Sequence, residues 1–137
     1  MKRTATAVWN GTIKEGKGKV STATGVLSET PYSFNSRFGD GTDTNPEELI
    51  AAAHAGCFSM KLSGVLTEAG FTPESIETEC SIGMKDAVIE TAHLVVKAKV
   101  PGIEETEFSK CAEDAKENCP VSKALNLEIS MDAQLVG

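Results

Sequence analysis

No two cysteines in this chain are spaced as C-x-x-C, which sets aside both a thioredoxin-type redox motif and a zinc knuckle. Four cysteines in 137 residues, at positions 57, 80, 111 and 119, are also too sparse for a disulfide-stapled secreted scaffold, so we read them as thiols at rest in a reducing compartment. Basic charge is in deficit: 13 Lys+Arg stand against 20 Asp+Glu, a net of −7, with no long block of one sign. That balance makes nucleic acid and anionic membranes poor partners and suits a small neutral or apolar ligand. No apolar core follows Lys2-Arg3, and the most apolar stretch, residues 49–58, is interrupted by His54 and falls short of the roughly 20 residues that cross a bilayer. We therefore expect a cytoplasmic protein. Repeats, linkers and low-complexity segments are missing too, which leaves one domain over residues 1–137, with 40% hydrophobic content to build its core.

Periodicity predicts an α+β order. Two β-prone runs, 5–9 and 19–23, flank Lys14-Glu15-Gly16-Lys17-Gly18 and read as a hairpin. Aromatic and polar residues alternate over 32–38, predicting a third strand that ends on Arg37 before the glycine loop 39–44. Asn45-Pro46-Glu47-Glu48 is a strong helix start: Asn45 can cap, Pro46 suits the first helical position, and Glu48 stands where a capping-box carboxylate reaches back. The helix should run to about Glu68 and, being apolar nearly all round in its first half, should be buried on every side. A second subunit would help to cover it. Strands follow over 76–84 and 88–100, then an amphipathic helix over 104–118 with Phe108, Cys111, Ala112 and Ala115 on one stripe. Cys119-Pro120 starts a further helical turn, and a last strand covers 127–136.

Within this frame Cys57 is the candidate nucleophile. A buried thiol far from a helix end is mostly protonated at neutral pH, so a reactive Cys57 needs a fixed cation nearby. Arg37 is the candidate, because guanidinium stays charged when buried, and it needs a carboxylate to orient it. At roughly 100° per residue Glu47 lies about 80° round the helix from Cys57 and Glu48 about 180°, which favours Glu47. His54 shares the Cys57 face. Cys119, just before Pro120, occupies a helix N-cap, where N–H groups and the dipole favour a thiolate.

Three segments are distinctive. The run Asn45-Pro46-Glu47-Glu48-Leu49-Ile50-Ala51-Ala52-Ala53-His54-Ala55-Gly56-Cys57-Phe58-Ser59-Met60, with Tyr32-Ser33-Phe34-Asn35-Ser36-Arg37-Phe38 and Asn118-Cys119-Pro120-Val121-Ser122, resembles the OsmC branch of the OsmC/Ohr family. The likeness extends over nearly the whole chain. It implies an OsmC-like α+β fold, with antiparallel sheets packed on long central helices in an intertwined homodimer. It also implies a thiol-dependent peroxidase that reduces organic hydroperoxides, with active sites at the subunit interface. By position, Cys57 matches the family's attacking cysteine, Cys119 the resolving one, Arg37 the arginine that holds the thiolate and Glu47 its carboxylate. Gly56 replaces a common alanine. The implied cycle passes through a Cys57 sulfenic acid and a Cys57–Cys119 disulfide, which an external dithiol such as a dihydrolipoyl group reopens. It requires no metal or organic cofactor.

Plainer readings compete with each role. Cys57 can be a small core hydrophobe, Cys119 a simple cap, Arg37 a surface residue and Glu47 first-turn decoration, whereas His54 reads as a hydrogen-bonded core histidine and Cys80 and Cys111 as packing residues. Two other functions use the same residues: a ligand-binding stress protein with a vestigial thiol pair, and a metal site of His54, Cys57 and Cys119 whose spacing matches no zinc motif.

Overall fold

Residues 11–16 reverse the chain between β1 (Ala5–Asn10) and β2 (Lys17–Thr22), which pair antiparallel from Ala5 opposite Thr22 to Asn10 opposite Lys17. The reversal uses Gly11, whose φ of +101° lies in the left-handed region that side chains disfavour. β3 (Thr30–Tyr32) adds antiparallel to β2. Across this sheet the rings of Trp9 and Tyr32 lie 5.4 Å apart over Gly18, where a Cβ would collide with both. The computed structural model describes residues Met1–Gly137 as two compact units, and this hairpin sheet belongs to the first, Met1–Leu49.

The expected strand over 32–38 is not formed beyond Tyr32. In its place stands a short helix, α1 (Phe34–Phe38), so Arg37 is helical. The Ser33 hydroxyl caps it by accepting the Ser36 N–H at 3.2 Å, and Phe34 meets Phe38 at 4.9 Å between ring centroids. Residues four apart are neighbours on a helix but not on a strand, and the same aromatic alternation satisfies both periods. Helix α2 (Pro46–Glu68) then starts as the sequence predicts: Asn45 Oδ1 accepts the Glu48 N–H at 2.8 Å. The reciprocal half of the expected capping box differs, because Glu48 Oε1 accepts from the Thr44 hydroxyl at 2.9 Å.

The second unit, Ile50–Gly137, holds the rest of α2, a three-stranded sheet and two helices. β4 (Ser75–Lys85) and β5 (Val88–Lys99) form an antiparallel hairpin with a bulge at Gly83/Met84. Ala92, Leu94, Val96, Ala98 and Val100, at period two, are all buried. α3 (Glu105–Asn118) buries the predicted stripe of Phe108, Cys111, Ala112 and Ala115, and α4 (Pro120–Ala124) follows. β6 (Glu128–Leu135) then pairs with β5 in parallel, which corrects the expectation of wholly antiparallel sheets. The helical connection through α3 and α4 returns the chain to the end at which β5 began, and such a crossover is what a parallel pairing needs.

α2 also departs from expectation. One stripe at four-residue spacing, His54, Phe58, Leu62 and Leu66, is buried, and its apolar members join the core of β5 and α3. The opposite stripe of Ala52, Gly56, Met60 and Gly64 is exposed, because the single chain supplies cover for one side only. At 23 residues α2 is long and apolar enough to cross a membrane by length and composition, which the shorter window 49–58 had concealed. Its packed stripe marks it as a core helix.

Candidate active site

The four residues singled out from the sequence fall into two pairs, one in each unit. In the first unit α1 carries Arg37 and the first turn of α2 carries Glu47. Arg37 Nε and Nη2 lie 2.9 and 2.7 Å from Glu47 Oε1, and Nε is also 3.2 Å from Oε2, so the guanidinium grips the carboxylate by two nitrogens. Asn45 sets the pair up. While its Oδ1 caps α2, its Nδ2 donates to the Ser36 carbonyl at 2.8 Å and ties α1 to the start of α2. The Arg37 guanidinium also stacks over the Phe38 ring at 5.3 Å. Beside it opens a cavity of about 230 Å³ lined mainly by Trp9, Ile13, Tyr32, Phe34, Arg37 and Phe38. One cation over an otherwise apolar wall suits a ligand with a polar head and a carbon tail.

In the second unit Cys57, on α2, and Cys119, the N-cap of α4, interact through their sulfurs. Both are free thiols, Cys57 partly buried and Cys119 fully. The pair meets where α4 begins. Cys119 makes no full capping hydrogen bond, yet the Val121 and Ser122 N–H groups lie near enough to favour its thiolate, and the Val121 N–H also acts on Cys57. The two thiols are unequal. Burial, followed by the neighbouring Cys119, pushes the Cys57 thiol up, and the Val121 N–H and the Lys61 charge offset this only in part. At Cys119 burial also acts upward, but the bond from Cys57 and those from Ser122 and Val121 outweigh it, so this thiol lies below its ordinary value. Raised in this way, the Cys57 thiol becomes a good nucleophile at neutral pH only where a further cation stabilises its thiolate.

His54 is the buried, hydrogen-bonded histidine the sequence suggests: Nε2 lies 2.8 Å from Ser122 Oγ, and burial lowers its basicity. Cys80 and Cys111 pack in or against the core, and burial raises both thiols. Cys80 does more than pack, since its Sγ lies 3.7 Å from His54 Nδ1. Sequence reasoning passed over Ser122, Asn45's second bond and Lys61. Ser122 had a visible signal: with Cys119 as cap it is the third residue of α4, where a side chain or N–H turns back to the cap.

These features define a class: an α+β chain with a dithiol gathered at a helix start and a separate arginine–carboxylate pair. A family model described as OsmC-like protein matches residues 39–134, and the chain belongs to that family. It is 50% identical over 133 residues to Peroxiredoxin OsmC of Escherichia coli (strain K12), covering 94% of this chain and 93% of that protein. It is 28% identical over 106 residues to the organic hydroperoxide resistance protein of Xanthomonas axonopodis pv. citri (strain 306), covering 74% of this chain and 73% of that one. Among solved structures, OhrB of Bacillus subtilis, an organic hydroperoxide resistance protein, superposes with a TM-score of 0.69 at 27% identity, covering 96% of this chain and 98% of that one. An OsmC-like protein of Vibrio cholerae superposes with a TM-score of 0.77 at 15% identity, covering 98% and 99%. The expected OsmC-like α+β fold is thereby established.

Proposed function

We propose that this chain is a cysteine-based peroxidase that reduces organic hydroperoxides to alcohols in stress defence. The observation that carries the reading is the meeting of Cys57 and Cys119 at the start of α4, a nucleophile beside its resolving partner. Half-identity to a peroxiredoxin over nearly full length supports it. In the reaction Cys57 thiolate attacks the distal peroxide oxygen, the O–O bond breaks, and the alkoxide leaves, taking up a proton as the alcohol. Cys119 then displaces hydroxide from the Cys57 sulfenic acid to form a disulfide, and an external dithiol restores both thiols by exchange. The residues themselves supply this chemistry, without metal or organic cofactor.

Arg37 is the cation that stabilises the Cys57 thiolate, and Glu47 orients it. Glu47 and Cys57 are ten residues apart on one continuous helix, about 15 Å of rise. We read each Arg37–Glu47 pair as serving the Cys57 of a second copy, with α2 helices packing through the exposed stripe of Ala52, Gly56, Met60 and Gly64. Nothing within 4 Å would obstruct a side chain at Gly56 or Gly64, so this face has room for a close neighbour. The active species is then a cytoplasmic homodimer, in which the whole of residues 1–137 forms one catalytic domain. The apolar wall beside Arg37 favours alkyl or aryl hydroperoxides over hydrogen peroxide. A dithiol-coupled turnover assay with cumene hydroperoxide, a fatty-acid hydroperoxide and hydrogen peroxide tests the reading. Faster turnover of the two organic peroxides is expected, and equal or absent turnover of all three overturns it.

A further inference from the structure

His54 is fully buried in the core stripe of α2, and the cycle above gives it no task. Both its nitrogens are nevertheless engaged, Nε2 with Ser122 Oγ at 2.8 Å and Nδ1 with Cys80 Sγ at 3.7 Å. Ser122 stands three residues on from the N-cap Cys119 in the first turn of α4, buried beside it, and its side chain and N–H both favour the Cys119 thiolate. The proton count of these groups fixes a direction. A hydroxyl has one proton, and when Ser122 directs it to the Cys119 sulfur, its oxygen must accept from His54 Nε2–H. Nδ1 of the neutral ring is then an acceptor and Cys80 S–H its donor, consistent with a ring that burial keeps neutral. Cys57 packs against the core cluster that holds Cys119. Cys80, His54 and Ser122 therefore form a chain of donors that all point towards one sulfur.

We infer that Ser122 is a catalytic residue of the resolving step, donating a hydrogen bond from its hydroxyl to the attacking Cys119 thiolate, and that His54, backed by Cys80, is the positioning residue that aims it. The inference rests on the peroxidase reading of Cys57 and Cys119 and adds to it the device that keeps the second thiol reactive. In this step Cys119 sulfur attacks the Cys57 sulfenic sulfur, the S–S bond forms, the S–O bond breaks, and hydroxide leaves and takes up a proton as water. The peroxide has already supplied the oxidising equivalent. Cys119 is completely shielded from solvent, so water cannot stabilise its charge and the protein's own donors must. Stabilising a thiolate lowers its intrinsic nucleophilicity, but with a Brønsted slope of only about 0.4–0.5, whereas its population rises about tenfold per unit while the thiol still titrates above ambient pH. The net gain is roughly threefold per unit. The same donors favour Cys119 as the leaving thiolate when a dithiol reopens the disulfide.

The titratable groups facing Cys119 are Cys57 and His54 on α2, Cys80 on β4 behind His54, and Cys111 on α3 in the same core, with Lys61 acting on Cys57. A single-turnover experiment separates the two chemical steps. Reduced protein is mixed with one equivalent of cumene hydroperoxide across a pH series, quenched with a sulfenic-acid trap and a thiol alkylator, and resolved by mass spectrometry. Ser122→Ala should still form the Cys57 sulfenic acid but convert it to disulfide about three- to tenfold more slowly at neutral pH, with the midpoint of that step moved upward. His54→Leu should behave like Ser122→Ala, whereas His54→Gln, which keeps an N–H donor for Ser122, should restore most of the rate. Where His54→Leu does not fold, Ser122→Thr against Ser122→Ala decides, Thr near wild type and Ala slow supporting the inference. A normal first step with an unchanged second step in Ser122→Ala, or equal slowing in Leu and Gln variants at position 54, overturns this inference alone. Failure of the wild type to form any Cys57 sulfenic acid overturns the peroxidase reading and this inference with it.

Discussion

Arg37 holds Glu47 through two nitrogens on one carboxylate oxygen, Nε at 2.9 Å and Nη2 at 2.7 Å, and so has its remaining guanidinium edge aimed by a mostly buried carboxylate. Glu47→Gln removes the charge and the second acceptor oxygen, which Nε meets at 3.2 Å, while keeping the shape. The protein should fold normally, and kcat/KM for cumene hydroperoxide should fall on the order of 10- to 100-fold, since catalysis is sensitive to small displacements of a positioned group. Wild-type kcat/KM in Glu47→Gln would remove Glu47 from the mechanism.

Cys57→Ser should abolish peroxide turnover with circular dichroism unchanged, because a hydroxyl cannot replace a thiolate as nucleophile. Cys119→Ser should consume one equivalent of peroxide and then stall with Cys57 as sulfenic acid, which advances to sulfinic acid as peroxide is added. Steady turnover in Cys119→Ser with no trappable intermediate would reduce Cys119 to a helix cap.

The pH dependence of Cys57 tests the missing cation. Within one chain, burial and the bond to Cys119 push this thiol up, so a free neighbouring charge is needed to make it react at neutral pH. Arg37→Ala should therefore move the alkylation midpoint of Cys57 upward, because a nearby cation favours the thiolate and its loss favours the thiol. Iodoacetamide rates followed by mass spectrometry across pH 6–10, a window of about this width being needed to span thiol titration, give the answer. An unmoved midpoint would pass the role to another group.

His54 links site and stability. Its folded basicity is lowered by burial, so below the unfolded histidine pKa, about 6.5, the unfolded chain binds a proton that the folded one refuses. Stability is therefore fully present above about pH 6.5 and is lost as pH falls towards the lower folded value, with a slope of up to about 1.4 kcal/mol per pH unit. Urea midpoints at fixed protein concentration should drop between pH 7 and pH 5 more steeply for wild type than for His54→Gln, which cannot titrate. Parallel curves would mean that His54 already carries a proton in the fold.

How far the sequence carried this description depended on whether one period or two fitted a segment. The start of α2 at Asn45-Pro46, the Phe108, Cys111, Ala112 and Ala115 stripe, and the alternation from Ala92 to Val100 each match one geometry and were legible. Residues 34–38 fit both a strand and a helix, and only the Ser33 cap and the Phe34–Phe38 contact decide between them. The parallel pairing of β6 depends on where α3 and α4 deliver the chain, which no local pattern encodes. At the site, Glu47 was chosen by its angle round the helix, and the angle ignores the rise that separates it from Cys57. His54, Ser122 and Cys80 meet from three elements, at sequence separations of 68 and 26, so their contact is a property of the fold alone.

A site shared between two copies, as proposed, makes a prediction that neither single variant can imitate. Arg37→Ala removes the cation, Cys57→Ser removes the nucleophile, and each homodimer should be inactive or nearly so. When the two are unfolded together and refolded, about half of the dimers are mixed, and if Arg37 serves the Cys57 of the other copy, each mixed dimer holds one complete site and one doubly defective one. One site in two, in half of the dimers, returns about a quarter of wild-type activity per total protein. If Arg37 serves its own Cys57, every site in the mixture lacks one group and activity stays at background. Mass spectrometry of the intact mixed dimer shows that exchange has occurred, so background activity there would leave the peroxidase chemistry standing and place both residues of a site on the same chain.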